Sequence, residues 1–237
     1  MRLSTVLGFR KRRIRNRIVT LGIIISGMLS IAFAIITFYG QNAGNFVISV
    51  DEAARIRGIV ISEEPSFEQQ LSRLMTSPID EARDMTYSWL KIEEVEATNG
   101  NYTDQDHDYV AYTFYIQNSG SETVDITYYI RITEVFRRLD HAIRVLVIED
   151  GVQTMYQMED RTDEFGNPPY YPEIMPQGVN FLTPQMVMRR TFTNFKPGQI
   201  KKFSVLVWLE GYDPDTTDDI IDGRIRLTMN FTVNTFN

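Results

Sequence analysis

Beyond residue 85 apolar and polar residues alternate with a period of two, as in strands with one face in a core and the other in water. The final stretch shows it most cleanly. In Arg224–Val233 the residues Ile225, Leu227, Met229, Phe231 and Val233 share one face, and Arg226, Thr228, Asn230 and Thr232 share the other. Val110, Tyr112, Phe114 and Ile116 form one face of residues 109–116. Val124, Ile126, Tyr128, Ile130 and Ile132 alternate with Asp125, Thr127, Tyr129, Arg131 and Thr133. A turn at residues 118–121 (NSGS) lies between these two stretches and predicts an antiparallel hairpin. Ala142–Ile148 and Val152–Met158 flank Glu149, Asp150 and Gly151 and predict another. Met186–Phe195 and Ile200–Leu209 flank a turn at Lys196, Pro197 and Gly198. Met85–Ala97 also reads as a strand.

Upstream the pattern is shorter-ranged. Phe46–Val50 and Gly58–Ser62 predict strands, with one helical turn between them. Ser66–Met75 predicts a short helix, because Ser66 is a favoured N-cap and Gln69 stands at capping-box spacing. Arg161–Asn180 is a polar loop with Pro168, Pro169, Pro172 and Pro176. Helical crossovers long enough for a parallel sheet are missing from the pattern. The expected fold is all-β, an antiparallel β-sandwich of eight or nine strands resembling a jelly roll.

One stretch obeys neither period. Ile18–Tyr39 has 22 residues without a charge, Pro, Asn or Gln. As a helix it would run about 33 Å, enough for a hydrocarbon core about 30 Å thick. Residues 1–17 carry seven basic residues and no acid, whereas the chain beyond residue 39 carries 17 basic and 31 acidic residues, a net of −14. Basic residues beside a span stay in the cytoplasm. The expected organisation is a basic cytoplasmic tail (1–17), a transmembrane helix (18–39) and an extracellular β-sandwich (40–237). Gly22, Ser26, Ser30 and Ala34 recur every fourth residue and could pack against another membrane helix. A cleaved signal peptide is the alternative, with Ile18–Leu29 as its apolar core and Ala32–Ala34 as its cleavage site. Apolar sequence continues past Ala34, which favours a retained anchor and leaves secretion after cleavage as the other outcome.

Charge and composition narrow the chemistry. An outer unit this acidic repels phosphate, so nucleic acid is not an expected partner. The absence of cysteine excludes disulfides, thiolate metal sites and cysteine nucleophiles. The two histidines, His107 and His141, form no HExxH, and neither a GxSxG nor a P-loop occurs. No catalytic constellation is expected. Asp104, Asp106 and Asp108 open like an EF-hand loop, but Tyr109 and Tyr115 stand where Gly and Glu are needed. Asp213, Asp215, Asp218 and Asp219, with Asp222 close by, form a second acidic loop. Its oxygen-rich composition suits Ca²⁺, and it equally suits a solvated turn whose carboxylates bond local backbone. Ca²⁺ is thus a possible ligand, and no other cofactor is expected. Tyr109, Tyr112, Tyr115, Tyr128 and Tyr129 suit a sugar-binding face or a core with wet hydroxyls. Asn101 and Asn230 open glycosylation sequons.

Val207–Pro214 (VWLEGYDP), Asp219–Gly223 (DIIDG) and Leu227–Phe231 resemble the closing region of Firmicute surface proteins of the camelysin/TasA type. The basic start, apolar helix and β-domain opening near Gly44, Asn45 and Phe46 are similar as well. The resemblance implies a jelly roll, export with a SipW-like signal peptidase, and extracellular fibres in which an N-terminal strand passes to a neighbour. Camelysin-like members are classed as metallopeptidases, but no metal ligand of theirs maps onto a residue of this chain. The expected function is therefore a membrane-anchored or exported structural or interaction protein of the cell surface, assembling with itself or other surface proteins into surface or biofilm-matrix filaments. Strand addition would use Phe46, Ile48, Val50, Ile59 and Ile61. A metal-dependent surface peptidase and a Ca²⁺-dependent binding module are the alternatives.

Overall fold

The computed structural model describes residues 18–34, 44–160, 176 and 178–233. The chain divides into two compact units, Met1–Ala43 and Gly44–Asn237. In the first, residues 18–34 form helix α1, and all of them are exposed. No helix among the described residues is long and apolar enough to cross a membrane. Residues 35–39 of the expected span lie outside the described residues, as do the basic tail 1–17 and most of the proline-rich loop.

The second unit is built from strands. They are β1 (Phe46–Val50), β2 (Ile59–Ser62), β3 (Arg73–Met75), β4 (Gly100–Tyr102), β5 (Val110–Asn118) and β6 (Val124–Phe136). β7 (Ile143–Glu149), β8 (Val152–Gln157), β9 (Val179–Asn180), β10 (Met186–Phe195), β11 (Ile200–Leu209) and β12 (Arg224–Val233) follow. Among the described residues three short helices intervene: α2 (Glu52–Ile56), α3 (Ile92–Ala97) and α4 (Leu139–Ala142). One sheet runs β10-β6-β12-β1-β3 and the other β2-β5-β11-β7-β8-β9, with β4 also paired to β5.

The apolar faces predicted by alternation meet between the sheets. Phe46, Ile48, Ile126, Tyr128, Ile130, Met229 and Phe231 from the first sheet join Ile61, Phe114, Ile116, Val145, Phe203 and Val205 from the second in one core. At its centre Phe114, Tyr128, Phe203 and Phe231 contact one another as stacked and edge-to-face rings, with centroids 5.2–5.9 Å apart.

The sheets are mixed, which corrects the expectation of purely antiparallel pairing. β1 lies parallel to β12, with Phe46 opposite Leu227 and Val50 opposite Phe231. β8 and β9 are also parallel. The physical reason is topological: the first and last strands of the sandwich enter the same sheet from the same end, so no local turn dictates their direction.

Three local expectations change. β5 and β6 do not form a hairpin, because the chain crosses between sheets at residues 118–121 and their apolar faces meet face to face. Ser66–Met75 is not a helix: Phe67 has φ 52°, and Leu71 bonds the backbone of Ile61 at 2.8 Å. Tertiary pairing outweighs the local cap. Met85–Ala97 is not a strand but a 3-10 turn at Tyr87–Trp89 followed by α3. This segment covers the far face of the second sheet, where Met85 and Val95 pack with Leu146, Leu206 and Trp208. That second layer explains why β5 and β7 are apolar on both faces.

Candidate functional site

Two constellations stand out, an interior polar row and the slot that holds β1. Pairing sets the row, with Trp208 opposite Arg144 and Arg144 opposite Gln157 on adjacent strands β11, β7 and β8. Arg144 is 0% exposed, a placement that needs partners. Its Nη1 lies 2.5 Å from Asp213 Oδ2, and its Nη2 lies 3.5 Å from Asp160 Oδ1. The Asp213 contact is a close ion pair rather than a well-directed hydrogen bond at that oxygen. Gln157 Nε2 donates to Asp160 Oδ2 at 2.8 Å, and Gln157 Oε1 accepts from Gly178 N at 3.2 Å.

The acidic loop folds onto this row. Trp208 Nε1 donates to Glu210 Oε2 at 2.8 Å, and Tyr212 N donates to Glu210 Oε1 at 3.1 Å. Asp215 N donates to Asp213 Oδ1 at 2.7 Å, and Thr216 Oγ1 donates to Glu210 O at 2.7 Å. Burial pushes the Asp213 carboxyl above its ordinary range, and the Arg144 guanidinium opposes that rise. Both Glu210 oxygens and Asp213 Oδ1 thus accept hydrogen bonds from Trp208 and the loop's own backbone, and Asp213 Oδ2 faces the Arg144 guanidinium.

The structure does not gather the predicted Ca²⁺ ligands. Asp213 and Asp215 are buried, whereas Asp218 and Asp219 are exposed on the 3-10 turn Asp218–Ile220. Among the described residues, no group of three or more His, Asp or Glu side chains is placed to hold a metal. In the other acidic loop Lys91 Nζ lies 3.2 Å from both Asp104 and Asp106, and Asp104 also accepts from Asp106 N and Tyr109 Oη. His107 stacks on Trp89 with centroids 4.9 Å apart. His141 Nδ1 lies 4.0 Å from Asp215 Oδ2.

The five tyrosines do not share one face. Tyr109, Tyr112 and Tyr128 are buried, and Tyr115 and Tyr129 are half-buried on different sheets. The hydroxyls of the three buried ones meet carboxylates, Tyr109 donating to Asp104, whereas Tyr115 donates to Asn99 Oδ1 at 3.2 Å. Tyr112 donates to Glu63, and Tyr128 donates to Glu149 at 2.6 Å. Asn101 accepts from Ser77 N at 2.9 Å, and Asn230 accepts from Ser49 Oγ at 2.6 Å. On α1 the residues Gly22, Ser26, Ser30 and Ala34 keep their i,i+4 stripe, with Ser30 Oγ donating to Ser26 O at 3.0 Å.

β1 occupies a slot inside its own chain. Its flank toward β12 is paired over the whole strand, and its other flank meets β3 over three residues. Phe46 and Ile48 are fully buried and Val50 nearly so; Ile59 and Ile61 of β2 are also buried. The entry is tight, since a Cβ on Gly44 would stand 1.8 Å from Thr76 O. Asn45 O accepts from Leu227 N at 2.9 Å, and Asn45 Oδ1 accepts from Ile79 N at 2.7 Å. At the exit Asp51 Oδ1 caps α2 through Ala54 N at 2.7 Å. The strand-addition residues are therefore core residues of this chain.

Alternation alone did not mark Arg144, Trp208 or Glu210. The available signal was Arg144, the one charge inside the apolar run AIRVLVI.

No family profile matches the chain, and no curated protein matches it. Among solved structures, β-glucosidase from Kluyveromyces marxianus in complex with glucose is similar at 10% identity and TM-score 0.24, over 76% of this chain and 15% of that one. The selenomethionine-labelled form of that enzyme gives 12% identity and TM-score 0.25, over 76% and 16%. The chain thus spans less than a fifth of the length of either, and at these scores the likeness carries no argument.

Proposed function

We propose that the chain is a membrane-anchored or exported cell-surface protein whose β-sandwich has a structural or interaction role, with β1 as its assembly strand. The observation that carries this reading is the place of β1: the first strand of the folded unit, parallel to the last, and held on its other flank by the three-residue strand β3, with Thr76 and Ser72 extending the backbone bonds to Phe46 and Val50. A β1 from a second copy would make the same backbone bonds to β12 and bury the same Phe46 and Ile48. Exchange therefore costs little beyond reopening the connection through α2, and each buried side chain is worth about 1.5–3 kcal/mol in either chain. Repeated donation gives an open chain of sandwiches, in keeping with a jelly-roll fibre subunit of the camelysin/TasA type. The 22 uncharged residues Ile18–Tyr39 after a basic tail support an anchor with the sandwich outside, or export through a SipW-like peptidase.

The test is protease added to intact cells, read with antibody to the C-terminal strand. The sandwich should be digested before lysis; a fragment protected until the cells are opened contradicts the reading.

A further inference from the structure

The outward face of the five-stranded sheet is a lattice defined by strand register. One row runs Arg73, Ser49, Asn230, Tyr129, Arg189 across β3, β1, β12, β6 and β10. The next runs Met75, Val47, Thr228, Arg131, Met186. On the other side of the first row Thr127, between Thr232 and Thr191, is buried, and the open lattice ends there. None of these positions is acidic, in a unit whose acids outnumber its bases. Acids border the lattice at Glu134, which pairs Arg226 at 3.3 Å, and at Asp125, which accepts from Asn194 N at 2.9 Å.

Arg73, Arg131 and Arg189 are exposed and enter no ion pair among the described residues. Lys91, Arg144, Lys201 and Arg226 are paired with carboxylates, while Lys196 and Arg224, like the three arginines, enter no ion pair among the described residues. At about 4.8 Å per strand, Arg73 and Arg189 stand about 19 Å apart along the row. Arg131 is a diagonal neighbour of Arg189 at about 7–8 Å. Between them lie hydroxyls, a half-buried tyrosine ring, and Asn230, held by Ser49 at 2.6 Å and Thr228 at 3.2 Å. Neither apolar cluster of the unit includes a residue of this face.

The geometry points to a docking surface for an anionic glycopolymer, a chain of hydroxylated units bearing repeated phosphate groups. Arginine forks suit phosphate oxygens bidentately, and the tyrosine and hydroxyls suit a polyol or sugar backbone. Duplex DNA fits less well. It carries one charge per roughly 1.7 Å of axis, which three spaced arginines on an acidic body do not match. The face is the same whichever copy supplies β1, so the inference stands apart from strand exchange.

The experiment uses the full chain in uncharged detergent, with Arg2, Arg10, Lys11, Arg12, Arg13, Arg15 and Arg17 replaced by Gln so that the tail does not contribute. The probe is fluorescent poly(glycerol phosphate), followed by anisotropy across a salt series. Binding should weaken about tenfold or more in Arg73→Gln/Arg131→Gln/Arg189→Gln, with a shallower salt dependence. Arg189→Glu alone should weaken it in the same direction, and Lys196→Gln on a remote turn should leave it unchanged. Undiminished binding by the folded triple variant, or by Arg189→Glu if the triple variant does not fold, overturns the proposal. Tighter binding of duplex DNA than of poly(glycerol phosphate) overturns the choice of polymer. Loss of self-association with unchanged polymer binding assigns the face to a second copy and overturns it too.

Discussion

Arg144 Nη1 stands 2.5 Å from Asp213 Oδ2, and both side chains are closed off from solvent. The pair joins β7, the first strand of the β7–β8 hairpin, to the acidic loop after β11, with Asp160 as a further partner of the guanidinium. Arg144→Met leaves Asp213 inside without its cation. Such a break costs about 3–5 kcal/mol, and the denaturant midpoint should fall accordingly. Arg144→Met/Asp213→Asn should recover part of the loss, because no net charge then remains unpaired at that contact.

The elements legible in the sequence were those with a clean period. β6, β11 and β12 follow from alternation, and the 149–151 turn between β7 and β8 follows from Glu149, Asp150 and Gly151. Hidden features were those set by distant partners. Nothing local tells β1 to run parallel to β12, and the NSGS turn looks alike whether it joins neighbours in one sheet or crosses between two. α3 was missed because Ile92 and Val95 are three apart in a stretch read with period two. The Asp213 loop looked like a metal loop because carboxylate spacing shows neither the arginine nor the tryptophan that engages it.

Calcium offers a direct check on that loop. With Asp213 committed to Arg144 and to Asp215 N, millimolar Ca²⁺ should leave the melting temperature unchanged. A rise with Ca²⁺, reversed by chelator, would show that the loop reorganises around the ion.

Alkaline pH should unfold the sandwich through its phenols. Burial first, and then the hydrogen bond to Glu94, push Tyr102 up to about 12 from an ordinary 10. Burial likewise raises Tyr109, Tyr112 and Tyr128, aided by Asp104, Glu63 and Glu149. A raised phenol contributes its stability fully below the unfolded value near 10 and loses it as pH climbs through the folded value. Phenolate absorbance from these tyrosines should thus appear above pH 10, together with loss of the β-sheet circular dichroism signal. Their ionisation at pH 10 in a folded protein would contradict the burial described.

Gly58 leads into β2 with φ +84°, and a Cβ there would stand 2.5 Å from Gly120 N. The close approach seats the 118–121 crossing, where Ser119 N donates to Gly58 O at 2.8 Å. Gly58→Ala should destabilise by more than about 1 kcal/mol, since both the left-handed backbone and the contact oppose a side chain. Thermal unfolding of the variant beside Gly151→Ala separates the two costs, because Gly151 has φ +84° and nothing within 4 Å.

Strand sharing is the central claim, and a chain without cysteine makes it directly measurable. Val47 lies opposite Thr228 across β1 and β12. Val47→Cys and Thr228→Cys chains are prepared separately, mixed during assembly and treated with a short thiol crosslinker. A product of twice the chain mass, joined between residue 47 of one chain and residue 228 of another, is the expected result. If the two single variants never join, while the double variant closes within one chain at every concentration, β1 stays at home and the assembly reading is wrong.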